Sequence, residues 1–253
     1  MKLLAILLKR AEVLSAVSIR LTYLTGKSKY PVHPKHLIKE KLWFEKYLKK
    51  ADVILDIGCN TGQFDFKIAR KVKKVIGIEV DKKLLDTAIK VQTESKIKNI
   101  KFINANANKK LPFKDEQFTK VICCDVLEHL DRRNFALKEI NRVLKKGGRL
   151  FLVTDNPETS WKRWQKKEGL FYYADLEHRY EYPKEELLKI LKNNKLKVEI
   201  ITPVTYNTPI APFIDLVGGI SLTLYRNLRK WREEMNQKNP NETTGYRTVS
   251  RKI

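Results

Sequence analysis

The residues best suited to chemistry stand at the ends of apolar segments, and the first group surrounds two glycines. The stretch DVILDIGCNTGQF places Asp56 two residues before Gly58, with Gly62 four residues further on. Glu79 ends the next apolar segment, VIGIEV. Glycines allow a tight turn and let the backbone approach a ligand closely. This group predicts a ligand-binding turn, and the spacing of the glycines restricts which ligand it takes.

Two phosphate-binding turns are disfavoured by that spacing. A dinucleotide turn has the pattern G-x-G-x-x-G, whereas the three places here hold Gly58, Asn60 and Gln63. The chain also contains no G-x-x-x-x-G-K-[ST] pattern, which excludes a phosphate-cradling P-loop. Asparagine is among the few residues that accept a positive φ. We therefore expect Asn60 either to be left-handed, replacing glycine in shape, or to point its amide at the ligand or pin the turn.

The spacing of apolar residues predicts the strands and helices that hold this turn in place. Short apolar segments alternate with helical ones and predict parallel strands joined by right-handed crossovers, with the ligand beyond the carboxyl ends of the strands. An amphipathic basic helix over residues 1–24 and a second helix over about 35–49 precede the sheet. The predicted strands of the core are 53–57, 75–80, 100–103, 120–126 and 149–154.

Five motifs in order carry a family resemblance. They are LDIGCNTG, GIEVD, LPFKDEQF, DVLEHL and EINRVLKKGGRL. In this order and spacing the sequence resembles the class I S-adenosylmethionine (SAM)-dependent methyltransferases, in the branch with quinone-biosynthesis and other small-molecule enzymes. The resemblance covers about 53–154 well and the final strand loosely.

The resemblance implies an α/β fold with a Rossmann-like, doubly wound, mostly parallel seven-stranded sheet and a final antiparallel strand. N-terminal helices and a C-terminal insertion complete the expected fold. The expected organisation is N-terminal amphipathic helices in 1–50 and a methyltransferase domain in 51–253. Within that domain we expect a core at 51–154, an insertion or lid at about 155–182 and a second insertion at about 203–240.

SAM is the cofactor that the resemblance implies. Asp56 would face its ammonium group, and Glu79 would accept from both ribose hydroxyls. At the adenine we favour Asn106, with Ala107 behind it, over Asn104, while a plain loop remains the alternative. The expected cofactor-binding residues are Asp56, Gly58, Cys59, Asn60, Gly62, Glu79, Val80, Asn106, Ala107 and Asp125.

The end of the fourth strand would lie near the transferred methyl group. Asp125, Glu128 and His129 are the catalytic candidates, because a hydroxyl acceptor needs a base. The alternative is that Glu128 and His129 only begin a helix. We expect no metal, yet the D-x-x-E-H pattern is similar to an E-x-x-E-H metal cluster of some O-methyltransferases. If a divalent metal is bound, its candidate ligands are Asp125, Glu128, His129 and His178.

The charge balance indicates an anionic partner. Lys and Arg number 52 against 29 Asp and Glu, for a formal charge of +23. This excess suits a membrane surface, a phosphorylated substrate or nucleic acid. The place after the fourth strand lacks the N/D-P-P-aromatic motif of base methyltransferases. RNA methylation therefore stays the alternative to methylation of a small-molecule, lipid-linked or glycan acceptor at O or N.

Two apolar and basic segments, 1–24 and 212–232, predict contact with an anionic membrane surface. For 1–24 the alternative is packing against the domain. The cysteines, Cys59, Cys123 and Cys124, are odd in number and lack a disulfide framework, which favours a reducing compartment. We expect a cytoplasmic protein, with the inner membrane face as a second location.

Overall fold

The computed structural model describes residues 2–29, 31–38 and 41–253. Its α-helices are α1 (Lys2–Arg10), α2 (Val13–Leu24), α3 (Gln63–Ile68), α4 (Lys82–Ser95), α5 (Arg133–Val143), α6 (Ser160–Lys167), α7 (Lys184–Asn193), α8 (Ala211–Ile220) and α9 (Leu222–Lys238). Its strands are β1 (Val53–Ile57), β2 (Lys74–Glu79), β3 (Ile100–Asn104), β4 (Phe118–Cys124), β5 (Leu144–Asp155), β6 (Leu196–Pro203) and β7 (Gly245–Lys252).

The strands form one seven-stranded sheet in the order β3-β2-β1-β4-β5-β7-β6. The pairs β1–β2, β1–β4, β2–β3 and β4–β5 are parallel, and the C-terminal strands are antiparallel. This confirms the predicted Rossmann-like fold. Because parallel strands end at one edge of a sheet, Ile57, Glu79, Cys124 and Asp155 share an edge.

Apolar side chains cover both faces of this sheet. In β1 the buried residues alternate, so that Leu55 joins a cluster on one face and Ile54 joins a cluster on the other. Phe44 and Phe151 stack at 5.0 Å between ring centroids, and both are fully buried. Nearly continuous apolar strands are what a parallel sheet covered on both faces requires.

The helix predicted over about 35–49 is wrong for the described residues. The chain instead makes two short 3₁₀ turns, Pro34–Leu37 and Glu45–Tyr47, while residues 39 and 40 lie outside the described residues. Trp43 and Phe44 point into an aromatic cluster with Phe151, at centroid distances of 6.0 and 5.0 Å. Their apolar spacing serves this tertiary packing, which overrides helical periodicity.

The chain forms two compact units. We call residues 1–41, 157–173 and 203–245 the helical unit, because they carry α1, α2, α6, α8 and α9. We call residues 42–156, 174–202 and 246–253 the sheet unit. The domain boundaries expected from the sequence stay a prediction.

The helical unit buries small and polar groups between two helices. The single helix predicted over 1–24 is two helices, α1 and α2. Ser18 and Thr22 of α2 are fully buried. On α8, a Cβ added to Gly219 would lie only 2.7 Å from the Cβ of Leu21, so glycine lets α2 approach closely. Leu21 therefore packs against α8, whereas Leu3, Leu7 and Leu24, also at the predicted helical spacing, face outward at 71%, 56% and 66% exposure.

No helix within the described part of the chain is both long enough and apolar enough to cross a membrane.

Candidate functional site

The turn between β1 and α3 takes its shape from left-handed residues. Gly58, Asn60 and Gly62 have φ values of 71°, 52° and 77°. The backbone amides of Gly58 and Cys59 both donate to the carbonyl oxygen of Ile78, at 2.9 and 3.0 Å. Asn60 is thus left-handed, as one of the two alternatives expected. Its Oδ1 also accepts from the amide of Thr61 at 2.7 Å, so the same side chain pins the turn.

Both predicted glycines pack against side chains from other segments, Val126 after β4 and Phe102 of β3. A Cβ on Gly58 would lie 2.4 Å from Cγ2 of Val126. A Cβ on Gly62 would lie 2.6 Å from Cζ of Phe102. The turn therefore needs glycine at these two places for packing as well as for φ.

Glu79, at the end of β2, organises the rim of the turn. One carboxylate oxygen accepts from the Asn60 amide at 3.0 Å. The other accepts from the amides of Val80 and Asp81 at 2.8 and 3.0 Å. Two carboxylate oxygens offer about four acceptor positions, so capacity for one further donor remains.

A cavity of about 470 Å³ opens beside this turn, at the carboxyl ends of the strands. Such a volume lies in the range of small-molecule sites. Its predicted lining residues are Gly58, Asn60, Glu79, Val80, Asn106, Ala107, Asp125 and His129. The sequence reasoning missed Ile57, Ile78, Asp81, Leu84, Ala105, Asn108, Val126, Leu130 and Glu177.

Four of the predicted catalytic and cofactor-binding residues do not line the cavity. Asp56 is buried beneath the turn, and Gly62 packs on Phe102. Cys59 is buried against Gly77, where an added Cβ would meet its sulfur at 2.8 Å. Glu128, predicted as a catalytic residue, is fully buried.

The two asparagines considered for adenine have different surroundings. Asn104 donates through Nδ2 to the carbonyl oxygens of Glu79 and Val80, at 2.8 and 3.0 Å, and joins the ends of β2 and β3. Asn106 lies on the cavity, where its Oδ1 accepts from the amide of Asn108 at 2.8 Å. Asn106, which the sequence analysis favoured over Asn104, is therefore the asparagine that a ligand in the cavity can contact.

Asp125 and His129 form the part of the rim that follows β4. Asp125 has a φ of 56°, and its amide donates to the carbonyl oxygen of Val153 at 3.1 Å. A left-handed aspartate costs about 1–2 kcal/mol, and such conformations cluster at functional sites. The His129 ring lies edge-on to the His178 ring, 4.6 Å between centroids.

Acidic and imidazole groups collect behind this rim. Potential ligand atoms of Glu128, Asp155 and His178 all lie within 4.8 Å of one another. Of the four predicted metal candidates, this group contains Glu128 and His178 but not Asp125 or His129. Asp155 was missed, although it ends β5 just as Glu79 ends β2, and the same strand-end rule would have found it.

Burial near the turn favours protonated carboxyls. Burial, with the charges of Asp65 and Glu79, raises the pKa of Asp56 well above its usual range. Burial raises the pKa of Asp65, on α3, to about 7. Neither oxygen of Asp65 has a hydrogen-bond partner among the described residues. Asp56 and Asp65 repel each other when both are ionised, so ionisation of one carboxyl disfavours ionisation of the other.

Burial, assisted by the charge of Asp155, also raises the pKa of Glu128 to about 9. For His178, burial lowers the pKa, but the hydrogen bond to Glu181 and the charge of Asp155 outweigh it and raise the pKa overall. His178 Nδ1 lies 2.9 Å from a carboxylate oxygen of Glu181. The arrangement can hold a proton or a cation in a site with little access to water.

The core of this unit matches a known family. Residues 55–152 match the family described as "Methyltransferase domain". A demethylmenaquinone methyltransferase from Lactococcus lactis is 37% identical over 126 residues, which are 46% of this chain and 49% of that protein. An uncharacterized methyltransferase from Bacillus subtilis is 31% identical over 100 residues, or 40% of this chain and 39% of that protein. The chain spans about half or less of these curated relatives.

Solved structures share the fold. A SAM-dependent methyltransferase from Methanosarcina mazei superposes with a TM-score of 0.60 at 20% identity, covering 85% of this chain and 99% of that one. A [4+2]-cyclase superposes with a TM-score of 0.59 at 22% identity, covering 81% of this chain and 76% of that one. The cyclase illustrates that this fold serves more than one reaction, so the assignment depends on the sequence match and the site.

Proposed function

Residues 55–152 belong to the class I SAM-dependent methyltransferase family, and from this premise we propose that the whole chain methylates a lipid-linked or otherwise membrane-held acceptor. The observation that carries the proposal is the surface of the helical unit, which presents apolar and basic side chains outward. We also propose that the methyl group is transferred to an oxygen or nitrogen atom of this acceptor.

The cavity fits SAM in size and in chemistry. In this proposal Glu79 uses its remaining acceptor position for one ribose hydroxyl, and Asp56, ionised, faces the ammonium group through the turn. Asn106 and Ala107 flank the adenine, while Gly58 and Asn60 bring backbone against the ligand. A cation binds an ionised carboxylate, so cofactor binding would draw the proton off Asp56.

When bound, SAM supplies an electrophilic methyl group. The chain's part is to align the acceptor in line with it and, for a hydroxyl acceptor, to take the proton. Asp125 and His129 are the predicted groups that line the cavity and can touch an acceptor. Glu128 does not line the cavity, so we assign it no direct contact with substrate.

The helical unit supports the membrane part of the proposal by what it exposes. Besides the leucines of α1 and α2, the exposed apolar residues of this unit include Phe213, Ile220 and Leu224 of α8 and α9. Arg226 and Lys230 are exposed on the same pair of helices. Apolar side chains beside basic ones bind the boundary between lipid headgroups and acyl chains.

Charge in the helical unit points the same way. Its segments hold 18 Lys and Arg against 8 Asp and Glu. Two residues of the predicted segment 212–232 instead have structural contacts within the helical unit. Arg232 donates to the carbonyl oxygen of Tyr206 at 2.7 and 3.0 Å, and Tyr225 is buried with its hydroxyl 3.3 Å from Asp215. Attraction to an anionic membrane surface therefore has to come from the other basic residues of the helical unit.

The names of the relatives favour a small or lipid-soluble acceptor. One relative is named for demethylmenaquinone, and another, from Haemophilus ducreyi, for ubiquinone and menaquinone biosynthesis. The RNA alternative finds no support among the relatives. A quinone-like or other lipid-linked acceptor would reach the enzyme at the membrane surface.

The test incubates the full chain with methyl-labelled SAM and fractionated lysate, and counts lipid, RNA, protein and small-molecule pools separately. We expect label in the lipid pool, and label confined to RNA would contradict the proposal. Flotation with anionic vesicles tests the surface. Leu7→Gln with Leu24→Gln should reduce flotation, whereas Val91→Gln, an exposed residue of the sheet unit, should not.

A further inference from the structure

Glu128, Asp155 and His178 form a group whose side chains suit a function other than methyl transfer. Its three potential ligand atoms lie within 4.8 Å of one another. The side chains of Glu128 and His178 are buried, while Asp155 is partly exposed. A first-row divalent metal binds carboxylate and imidazole groups at about 2.0–2.2 Å. Ligand atoms around such an ion lie roughly 3–4 Å apart, so a small contraction would complete the shell.

Glu128 supplies an independent observation. It is fully buried, and neither carboxylate oxygen has a hydrogen-bond partner among the residues that the structure describes. Its ligand atom belongs to the group, so the orphaned carboxylate is directed into it. A buried carboxylate without a partner costs several kcal/mol, which a bound cation would offset.

Glu181 provides the outer support that metal-binding histidines need. One of its carboxylate oxygens lies 2.9 Å from His178 Nδ1 and accepts from the Ala174 amide at 2.6 Å. A carboxylate held in this way fixes the orientation of the imidazole and raises its basicity, and because Nδ1 is paired with Glu181, Nε2 is the nitrogen that would bind the metal. With Glu181 the surroundings contain three carboxyl groups, and a bound cation would favour their ionised forms.

We propose that Glu128, Asp155 and His178 bind one first-row divalent metal ion, such as Mn²⁺ or Zn²⁺. One nitrogen and two oxygen ligands suit these ions, whereas Mg²⁺ prefers oxygen ligands and keeps its water. The His129 ring, which lies against His178, lines the cavity. The ion would therefore lie one side chain from the cavity wall and hold the ends of β4 and β5 together.

Metal binding is measured on the full chain without SAM or acceptor, so that it is independent of the proposed methyl transfer. The purified protein is dialysed against chelator, and Mn²⁺ is then titrated with detection by electron paramagnetic resonance and calorimetry. We expect one site per chain, and Glu128→Gln and His178→Gln should each weaken binding by at least about tenfold.

Glu185→Gln is the matched control, because it makes the same side-chain change at an exposed residue of α7 that does not line the cavity. We expect it to bind Mn²⁺ like the wild type. Circular dichroism melts establish that each variant is folded. Absence of binding to the folded wild type, or equal binding by Glu128→Gln, Glu185→Gln and wild type, would overturn the proposal.

Discussion

The two units differ in where they place apolar side chains. In the sheet unit Leu55, Ile122 and Leu137 are fully buried, as expected of a parallel sheet covered by helices. In the helical unit Leu7 of α1 and Leu24 of α2 are 56% and 66% exposed. An exposed apolar surface of this kind is what the proposed contact with a membrane would cover.

Buried carboxylates sharpen this contrast. Asp215 of the helical unit accepts from the Ser15 hydroxyl at 2.7 Å and lies 3.3 Å from His33 Nε2. In the sheet unit the buried carboxylates of Asp65 and Glu128 have no hydrogen-bond partner among the described residues. Both follow the carboxyl ends of strands. The sheet unit thus tolerates unsatisfied acids where a ligand is expected, whereas Asp215 is satisfied internally.

The largest effect expected comes from the same substitution in both units. Leu137→Ala removes a fully buried side chain and should cost about 2–5 kcal/mol of unfolding free energy. Leu7→Ala, on the exposed face of α1, should change it by less than about 0.5 kcal/mol. Urea unfolding in the absence of lipid measures both. Similar losses for the two variants would break the contrast between the units.

Asp65→Asn tests the unsatisfied acid. An unfolded aspartate has a pKa of about 3.9, whereas burial raises the pKa of Asp65 to about 7. The folded wild type therefore retains a proton that the unfolded chain loses, and its stability falls as pH rises between these values. The asparagine variant lacks this loss, so its advantage over wild type should grow by up to about 4 kcal/mol from pH 4 to pH 8.

Urea unfolding across this pH range measures the Asp65 effect. Asp86→Asn, on the exposed face of α4, is the control and should show no such growth. A constant difference between Asp65→Asn and wild type at all pH values would mean that Asp65 is ionised throughout.

Gly58→Ala probes the packing of the turn. The substitution carries the penalty of a positive φ, about 1–2 kcal/mol, and a contact of 2.4 Å with Val126. Gly147→Ala has the same φ of 71° but no atom within 4 Å. Gly58→Ala should therefore lose about 1–3 kcal/mol more than Gly147→Ala in thermal or urea unfolding. Equal losses of unfolding free energy in the two variants would show that the positive φ alone accounts for glycine at position 58.

Glu79→Gln should have the smallest effect of the four. It keeps the shape of the side chain but replaces charge-assisted hydrogen bonds with neutral ones. We expect SAM binding, measured by calorimetry, to weaken about tenfold, or roughly 1.4 kcal/mol. Glu94→Gln on the surface of α4 is the control. Unchanged affinity in Glu79→Gln would remove this residue from the cofactor site.

Much of the sheet unit was predictable because its signals are local. The strands β1 to β5 are apolar runs between helical patterns, and the acids at their ends fall at one edge once the strands are parallel. The left-handed Asn60 was one of two alternatives that its residue type and its place in the turn allowed. For these features the sequence pattern and the tertiary structure require the same conformation.

Other features depend on partners distant in the chain. The aromatic residues of 43–47 pack on Phe151, which no helical period reveals. The leucines of α1 and α2 have helical spacing, but spacing alone cannot tell whether a stripe faces protein or solvent. Asp155 and Glu181 join His178 only after β5 and the following loop have folded.

The strand order has a consequence for biosynthesis. Strand β7 lies between β5 and β6 in the sheet, although it follows both in the chain. While the nascent chain grows, β5 keeps an open edge and β6 has no strand beside it until residues 245–252 have been made. Unpaired edges invite association with other chains. The sheet is therefore completed only after residues 245–252 have been made, and until then the edges of β5 and β6 stay open to pairing with other chains.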